Sequence, residues 1–99
     1  ISWHYRGRSN YFLSRFEEAL NDLFESTRLN PENYFTWDYR GRINYRLNQY
    51  VVAINNLDKA ITLYPEYSTS WNFRGRCKYR LNQYELFLYK MLHHQVLIK

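Results

Sequence analysis

Apolar and small residues recur along the chain at the spacing of an α-helix. Trp37, Gly41, Asn44 and Leu47 fall on one side of such a helix. In the next segment the shared side consists of Ala53, Ile54, Leu57, Ala60, Ile61 and Tyr64. Carried along the chain, this pattern predicts six helices, over about 2–14, 17–29, 35–47, 51–63, 69–81 and 84–97.

Two kinds of break separate the predicted helices. Pro31 and Pro65 lie between successive helix pairs, and a proline disfavours helical backbone in the residue before it. The turns inside the pairs are only a few residues long and are expected near Ser14–Arg15, Asn48–Gln49 and Asn82–Gln83. Such short turns force the two helices of a pair to be antiparallel neighbours.

The chain is an internal repeat. Its Trp, Gly and Pro residues all obey a period of 34, at Trp3, Trp37 and Trp71, at Gly7, Gly41 and Gly75, and at Pro31 and Pro65. Residues 3–33 and 37–67 are identical at 14 of 31 positions, which chance composition does not produce. Each unit is therefore one predicted helix pair.

The period, the Trp with Gly four residues later, Ala19 and Ala53, and the Pro that closes each unit resemble the tetratricopeptide repeat (TPR). The resemblance covers the chain through Tyr84. It implies an all-α helical-hairpin repeat solenoid, with about six antiparallel helices in a right-handed superhelix. We expect a single domain over 1–99, with repeats of about 1–33, 34–67 and 68–99, and no enzymatic activity.

Several repeated positions are expected to be structural. We predict that the three Trp rings are buried between units and that the three glycines allow close approach of paired helices. Small and aliphatic side chains should fill the helix crossings: Ala19, Ala53, Ala60, Leu20, Leu23, Leu57 and Ile61. The arginine before each Gly should pair with an acid of a neighbouring helix, drawn from Asp22, Glu25 and Asp58.

Composition narrows the class of protein. The 99 residues give room for one small domain, which excludes a two-lobed enzyme, and 45% hydrophobic with 23% charged residues is typical of a globular chain. A net charge of +5 favours acidic peptides, phosphates or nucleic acid as partners. Cys77 is the only cysteine, and neither a secretory signal nor an apolar run near 18 residues is present. We therefore expect an intracellular, cytoplasmic location.

The positive charge lies on one layer. The first helices of the three pairs sum to +8, whereas the second helices sum to −3. Helical spacing places Phe35, Asp38, Arg42, Tyr45 and Arg46 along one stripe of a first helix, which is expected to face away from the packed side. In the TPR family this face of the first helices lines a concave groove that holds a peptide or a partner's helix. The resemblance therefore implies a groove built from these residues: His4, Arg8, Tyr11, Phe12, Phe35, Asp38, Arg42, Tyr45, Arg46, Asn72, Arg76, Tyr79 and Arg80.

The predicted function is a protein-interaction scaffold whose groove binds an acidic or phosphorylated peptide or partner helix, because Arg grips carboxylate or phosphate and Tyr adds apolar area. RNA binding by the same Arg and Tyr residues is the alternative, and a purely architectural role is a third. Some TPR domains hold chaperone tails with a Lys, Asn and Arg clamp. Its positions here carry His4, Arg8, Tyr39, Thr69 and Phe73, so that specificity is not predicted.

Catalysis and metal binding find no support in the sequence. His4, His93, His94 and Cys77 are the candidate soft ligands or nucleophiles, but no Cys-x-x-Cys or His-Glu-x-x-His motif contains them. Glu17 and Glu18 are expected in the first turn of a helix, where acids stabilise the positive end of its dipole. No cofactor or metal is predicted.

The repeat pattern stops abruptly after Tyr84. Residues 71–84 match 37–50 at 10 of 14 positions, whereas residues 85–98 match 51–64 at one, and Phe87 replaces the Ala of the earlier units. The last predicted helix is apolar nearly all round, and repeat stacks need a polar outer face at their ends. We therefore expect this chain to self-associate through its last helix.

Overall fold

The computed structural model describes residues 2–98, with side chains through residue 94. In this part of the chain there are five α-helices: α1 (Trp3–Phe12), α2 (Phe16–Leu29), α3 (Tyr34–Arg46), α4 (Tyr50–Leu63) and α5 (Ser68–Ile98). The predicted all-α hairpin repeat is confirmed, and the first four helices lie within about two residues of their predicted bounds. The predicted number of helices is wrong: six were expected, and the described residues form five.

The two hairpin turns have the same geometry. Ser14 and Asn48, which lie 34 residues apart, both have left-handed backbone, with φ of 58° and 61°. The Arg15 N–H donates to the Asn10 carbonyl at 2.8 Å, and the Gln49 N–H makes the equivalent 2.8 Å bond to Asn44. This bond is the signature of a Schellman cap, which ends a helix by satisfying its last carbonyl groups.

The third turn, expected at Asn82–Gln83, is absent. The hexapeptide Tyr-Arg-Leu-Asn-Gln-Tyr forms the cap and turn at 45–50 but stays helical at 79–84, inside the 31-residue α5. The reason lies beyond the hexapeptide. Phe87 lies at the position that the buried Ala53 occupies in the preceding unit. The Ala53 carbonyl oxygen lies 3.3 Å from the position that a Cβ on Gly41 would occupy. A phenyl ring at this position would hold a returning helix away from α5.

Close helix packing accounts for two of the three glycines. A Cβ on Gly7 would lie 2.8 Å from Leu23, and one on Gly41 would lie 2.5 Å from Leu57. At Gly75, no described atom lies within 4 Å of the corresponding position. The prediction that glycine allows close packing is therefore confirmed at Gly7 and Gly41 and is wrong at Gly75, where no helix folds back.

The core consists of two clusters of buried side chains. The first lies among α1, α2 and α3 and contains Tyr11, Ala19, Leu23, Tyr39 and Ile43. The second lies between α4 and α5 and contains Ala53, Leu57 and Cys77. The predicted buried positions Ala60 and Ile61 are confirmed, whereas Leu20 is only half-buried.

The expected burial of the three Trp rings is wrong. Trp3 and Trp37 are half-buried, and Trp71 is 45% exposed. The indole N–H of Trp37 donates to the Pro31 carbonyl at 2.7 Å, and that of Trp71 donates to the Pro65 carbonyl at 2.8 Å. These bonds hold the rings at the surface, where they fasten each helix to the loop before it.

The helices form two layers. α3 contacts both α1 and α5, and these three helices form the first layer. α2 and α4 form the second layer and pack against the first. The molecule is elongated, with extents of 61 × 28 × 19 Å, because the second half of α5 continues beyond its contact with α4. Within residues 2–98, no helix is long and apolar enough to cross a membrane.

Candidate functional site

The thirteen predicted groove residues differ in exposure. Two are buried: Tyr11 and Asp38. Four are half-buried: His4, Phe35, Arg42 and Tyr45. Seven are exposed: Arg8, Phe12, Arg46, Asn72, Arg76, Tyr79 and Arg80. The expectation that this whole stripe faces solvent is therefore wrong at Tyr11 and Asp38, both of which belong to the interior.

The three equivalent tyrosines become more exposed along the stack. Tyr11 is covered by the ring of Tyr39 at 5.4 Å, and Tyr45 by that of Phe73 at 5.7 Å. Tyr79 is 62% exposed, because α5 has no following helix among the described residues to supply such a ring. Tyr11 and Tyr45 are each covered by an aromatic side chain of the next helix in this layer, whereas Tyr79 leaves most of its surface open to a ligand.

Arg42 is neutralised within the protein. Its Nε donates to Asp38 Oδ2 at 2.7 Å, and its Nη2 donates to the Tyr67 hydroxyl at 3.1 Å. The second oxygen of Asp38 accepts a 2.7 Å bond from the Ser70 hydroxyl. Burial raises the pKa of Asp38 above its ordinary value, while Arg42 and Ser70 oppose the shift. The middle arginine therefore joins α3 to α5 and its loop.

Arg8 and Arg76 differ from Arg42. Both are exposed, and neither makes an ion pair with the described part of the chain. Arg8 stacks over Phe12, with its guanidinium carbon 5.8 Å from the ring centre, and Arg76 stacks over Phe73 at 5.0 Å. Stacking on aromatic faces orients a guanidinium while leaving its N–H donors available.

A cavity of about 250 Å³ lies beside Arg8. Its walls come from α1, α3 and the loop before α5: His4, Tyr5, Arg8, Phe35, Tyr39 and Tyr67. Partial burial, followed by the charge of Arg8, lowers the pKa of His4 below its ordinary 6.5. His4 is therefore neutral at pH 7, and a nearby anion would favour its protonated form.

A second cavity, of about 460 Å³, lies beside Arg76. Its walls come from α3 and α5: Tyr45, Trp71, Asn72, Gly75, Arg76, Tyr79 and Arg80. The first-layer face thus holds two concave sites, and each one contains an arginine without an ion-pair partner in residues 2–98.

The arginines before the glycines are structural, as expected, but they use different partners. Arg6 pairs with Asp22 at 2.8 Å, and Arg74 pairs with Asp58 at 2.7 Å. For Arg40, the positions equivalent to those two acids do not carry an acid. Arg40 donates instead to the Thr27 hydroxyl at 3.1 Å. Its Nε is buried without a hydrogen-bond partner in the described structure, and burial lowers the pKa of this guanidinium.

Glu25, the other expected partner, pairs instead with Arg28 on the surface of α2, at 2.8 Å. Glu17 and Glu18 do lie in the first turn of α2, as predicted.

Sequence reasoning missed the contribution of three aromatic residues to the Arg8 cavity: Tyr5, Tyr39 and Tyr67. For Tyr67 the sequence did carry a sign. The equivalent residue of the preceding unit is Asn33, whose side chain caps α3 by accepting a hydrogen bond from the Phe35 N–H, and a Tyr stands at this capping position in the next unit. The repeated Trp-x-x-Arg-Gly sequence was also informative. In each unit the arginine stacks on the Trp three residues before it, at 4.5–4.8 Å.

The candidate ligands for metal or redox chemistry do not converge in the part of the chain described. No group of three or more His, Cys, Asp or Glu side chains there could hold a metal ion. Cys77 is fully buried against α4, and burial raises the pKa of its thiol to about 11. This thiol is a packing group with little thiolate at neutral pH.

Comparison with known proteins identifies the fold. The first TPR domain of Spaghetti (RPAP3), solved with the HSP90 peptide SRMEEVD, superimposes with a TM-score of 0.78 at 20% sequence identity. The chain therefore has a TPR-like fold. The match covers 84% of this chain but 66% of that domain, so the chain spans slightly less than two thirds of its neighbour's length. By sequence, no protein family and no curated protein matches.

Proposed function

We propose that this TPR-like domain is a non-enzymatic protein-interaction module that binds an acidic or phosphorylated peptide, or an acidic partner helix, along its first-layer face. The proposal rests mainly on one observation. Arg8 and Arg76 are exposed beside concave sites without acidic partners in residues 2–98, whereas the equivalent Arg42 is paired with Asp38. Of the three equivalent arginines, two thus remain available for an anionic ligand, and Arg80 adds a further exposed guanidinium to the Arg76 cavity.

The chemistry of the two sites suits such a ligand. A guanidinium binds a carboxylate or phosphate through two parallel N–H bonds, and such charge-assisted bonds are about twice as strong as neutral ones. Phe12 and Phe73 support the planes of these guanidinium groups, and the exposed Tyr79 offers apolar area with a hydroxyl group. Partner side chains would contact the aromatic walls while its acids pair with Arg8 and Arg76.

The structural neighbour supports the ligand class. The peptide bound to the RPAP3 domain, SRMEEVD, contains three acids and one arginine. The chaperone clamp is not reproduced here, so we propose the general acidic chemistry of the ligand and not that particular partner.

The test is fluorescence anisotropy with labelled SRMEEVD as an acidic probe, a version phosphorylated on its Ser, and a neutralised version with its Glu and Asp replaced by Gln and Asn. The decisive variant is Arg8→Glu/Arg76→Glu. Its matched control is Arg15→Glu/Lys59→Glu, which changes the net charge equally but alters exposed residues of the α2 and α4 layer. Arg42 is not mutated, because its removal would leave the buried Asp38 carboxylate without its cation.

We expect the acidic and phosphorylated probes to bind the wild type and the control variant at least tenfold more tightly than the Arg8→Glu/Arg76→Glu variant. The neutralised probe should bind weakly to all three. Equal losses in the two variants would show that net charge alone drives binding and would contradict the proposed groove. Binding of a labelled single-stranded RNA with a steep salt dependence, in place of peptide binding, would favour the nucleic-acid alternative.

A further inference from the structure

The face of α5 around Gly75 lacks the helix that covers the equivalent face in the two earlier units. We define the Gly75 face as Trp71, Gly75, Lys78 and Asn82, which lie on one side of α5. All four residues are exposed, and nothing described lies within 4 Å of a Cβ position at Gly75. Leu23 and Leu57 fill the corresponding positions at Gly7 and Gly41.

The two filled copies define what such a face accepts. Each covering helix places an Ala carbonyl 3.3–3.4 Å from the missing Cβ, and the Leu four residues later packs on the glycine. The residue before that Leu also hydrogen-bonds to the first helix. Asp22 accepts from Asn10 at 2.8 Å, and Asn56 donates to Asn44 at 2.7 Å.

At the Gly75 face, the position of Asn10 and Asn44 is taken by Lys78. A cation here calls for an acid in the covering helix, at the position that Asp22 occupies in the first unit. The complement of this face is therefore a helix with the pattern Ala-x-x-Asp-Leu or Ala-x-x-Glu-Leu.

The chain's own following segment does not match this pattern. At the same separations from Gly75 it carries Phe87 in place of Ala and Lys90 in place of the acid. Phe87 is too large for the close crossing, and Lys90 would face Lys78 with the same charge. A second copy is equally unsuitable, because its α2 and α4 are already packed on Gly7 and Gly41.

We propose that the Gly75 face is a docking site for an amphipathic helix of a partner protein that carries Ala, then Asp or Glu three residues later, then Leu. The partner's Ala lies over Gly75, its Leu packs against Gly75 and its acid pairs with Lys78. This surface shares Trp71 and Gly75 with the wall of the Arg76 cavity. It takes a different ligand, a helix that packs on Gly75 in the way that α2 and α4 pack on their glycines.

A labelled peptide with the sequence of residues 16–29 serves as the probe, because it carries the required Ala19, Asp22 and Leu23. Binding is measured by anisotropy against the full chain, with peptide concentrations up to about 1 mM to allow for the cost of ordering a short isolated helix. Gly75→Leu is the blocking variant. The open space at Gly75 lets it fold, and circular dichroism and a thermal melt check that it does.

We expect Gly75→Leu to weaken binding at least tenfold, and an Ala19→Phe peptide to bind the wild type just as weakly. Lys78→Glu should weaken binding of the original peptide and restore binding of an Asp22→Lys peptide, because the charges are exchanged. The proposal is overturned if the wild type does not bind the probe, or if Gly75→Leu binds it equally well. The latter result would mean that the peptide displaces α2 from Gly7.

Discussion

Asp38 and Arg42, one helical turn apart on α3, form a 2.7 Å ion pair inside the protein. The Asp38 side chain is fully buried, and only 12% of the Arg42 side chain is exposed. Ser70 and Tyr67, from α5 and the loop before it, complete the hydrogen bonds of this pair. A residue that appears in the sequence as one of three equivalent groove arginines is thus a structural element between the second and third units.

Arg42→Ala should therefore lower the free energy of unfolding by roughly 3–5 kcal/mol, since it leaves the Asp38 carboxylate buried without its cation. Arg8→Ala and Arg76→Ala should change stability little. Urea denaturation of the three variants provides the measurement. Adding Asp38→Asn to Arg42→Ala should recover part of the loss. If all three single variants are equally stable, Arg42 is a free groove residue and the assigned role is wrong.

The three repeated glycines should respond differently to alanine. Gly41→Ala should destabilise the protein by about 1–3 kcal/mol, because the new methyl group would overlap Leu57. Gly75→Ala should stabilise it by about 0.5–1 kcal/mol, because its Cβ enters open space and alanine favours the helix. Thermal melts of the two variants test this opposition. A loss of stability in both would indicate that a helix covers Gly75 in solution.

Arg40→Met should stabilise the protein by about 1 kcal/mol. Arg40 has a buried Nε without a partner in residues 2–98. Its guanidinium carbon lies 4.4 Å and 4.6 Å from the ring centres of Phe24 and Trp37, and a Met side chain would contact the same rings. Arg6→Met is the matched comparison and should destabilise, because Asp22 would lose its ion pair. Denaturant midpoints of the two variants decide the matter. If Arg40→Met is less stable than the wild type, the hydrogen bond from Arg40 to Thr27 stabilises the protein by more than the burial of the guanidinium destabilises it.

Binding of an acidic peptide should tighten as the pH falls below 6.5. The folded pKa of His4 lies below this ordinary value, so His4 of the free protein is protonated less than an ordinary histidine. A bound anion raises that pKa, and His4 takes up a proton when the peptide binds. The gain should end near pH 4, where peptide carboxylates become protonated. Anisotropy titrations across this range are compared with His4→Gln, which should lack the gain. A wild-type profile identical to that of His4→Gln would remove His4 from the site.

The second half of α5 should cause self-association. Apolar side chains cluster there on exposed helix, among them Leu88, Met91 and Leu92, at 40%, 44% and 63% exposure. Sedimentation at tens of micromolar should show dimers or larger species, and Leu88→Glu/Leu92→Glu should be monomeric. Lys90→Glu is the control and should not dissociate the assembly. A monomeric wild type at this concentration would refute the prediction.

The duplicated units explain which elements were predictable. Ser14 and Asn48 mark turns of the same kind, and the helices on either side of each turn follow one hydrophobic pattern. The third turn was not predictable from its own residues, because 79–84 has the same sequence as 45–50. The difference lies in whether the following segment can pack on the glycine, and Phe87 was the visible sign that it cannot.

The candidate site was less predictable, because exposure depends on non-local contacts. A helical stripe places Arg8, Arg42 and Arg76 in equivalent positions, yet Ser70, 32 residues away from Asp38 in sequence, helps to bury the middle pair. Tyr11 and Tyr79 differ in the same way, since a neighbouring helix covers the first and not the second. Periodicity predicts which residues share a helix face, but it does not predict which of them are exposed.

The most direct test of the proposed groove is an NMR titration of the ¹⁵N-labelled chain with the peptide SRMEEVD. The account predicts amide shift changes around Arg8 and Arg76, together with their aromatic neighbours on α1, α3 and α5, and no changes along the outer surfaces of α2 and α4. Changes confined to α2 and α4, or to the exposed segment around Leu88–Leu92, would contradict it.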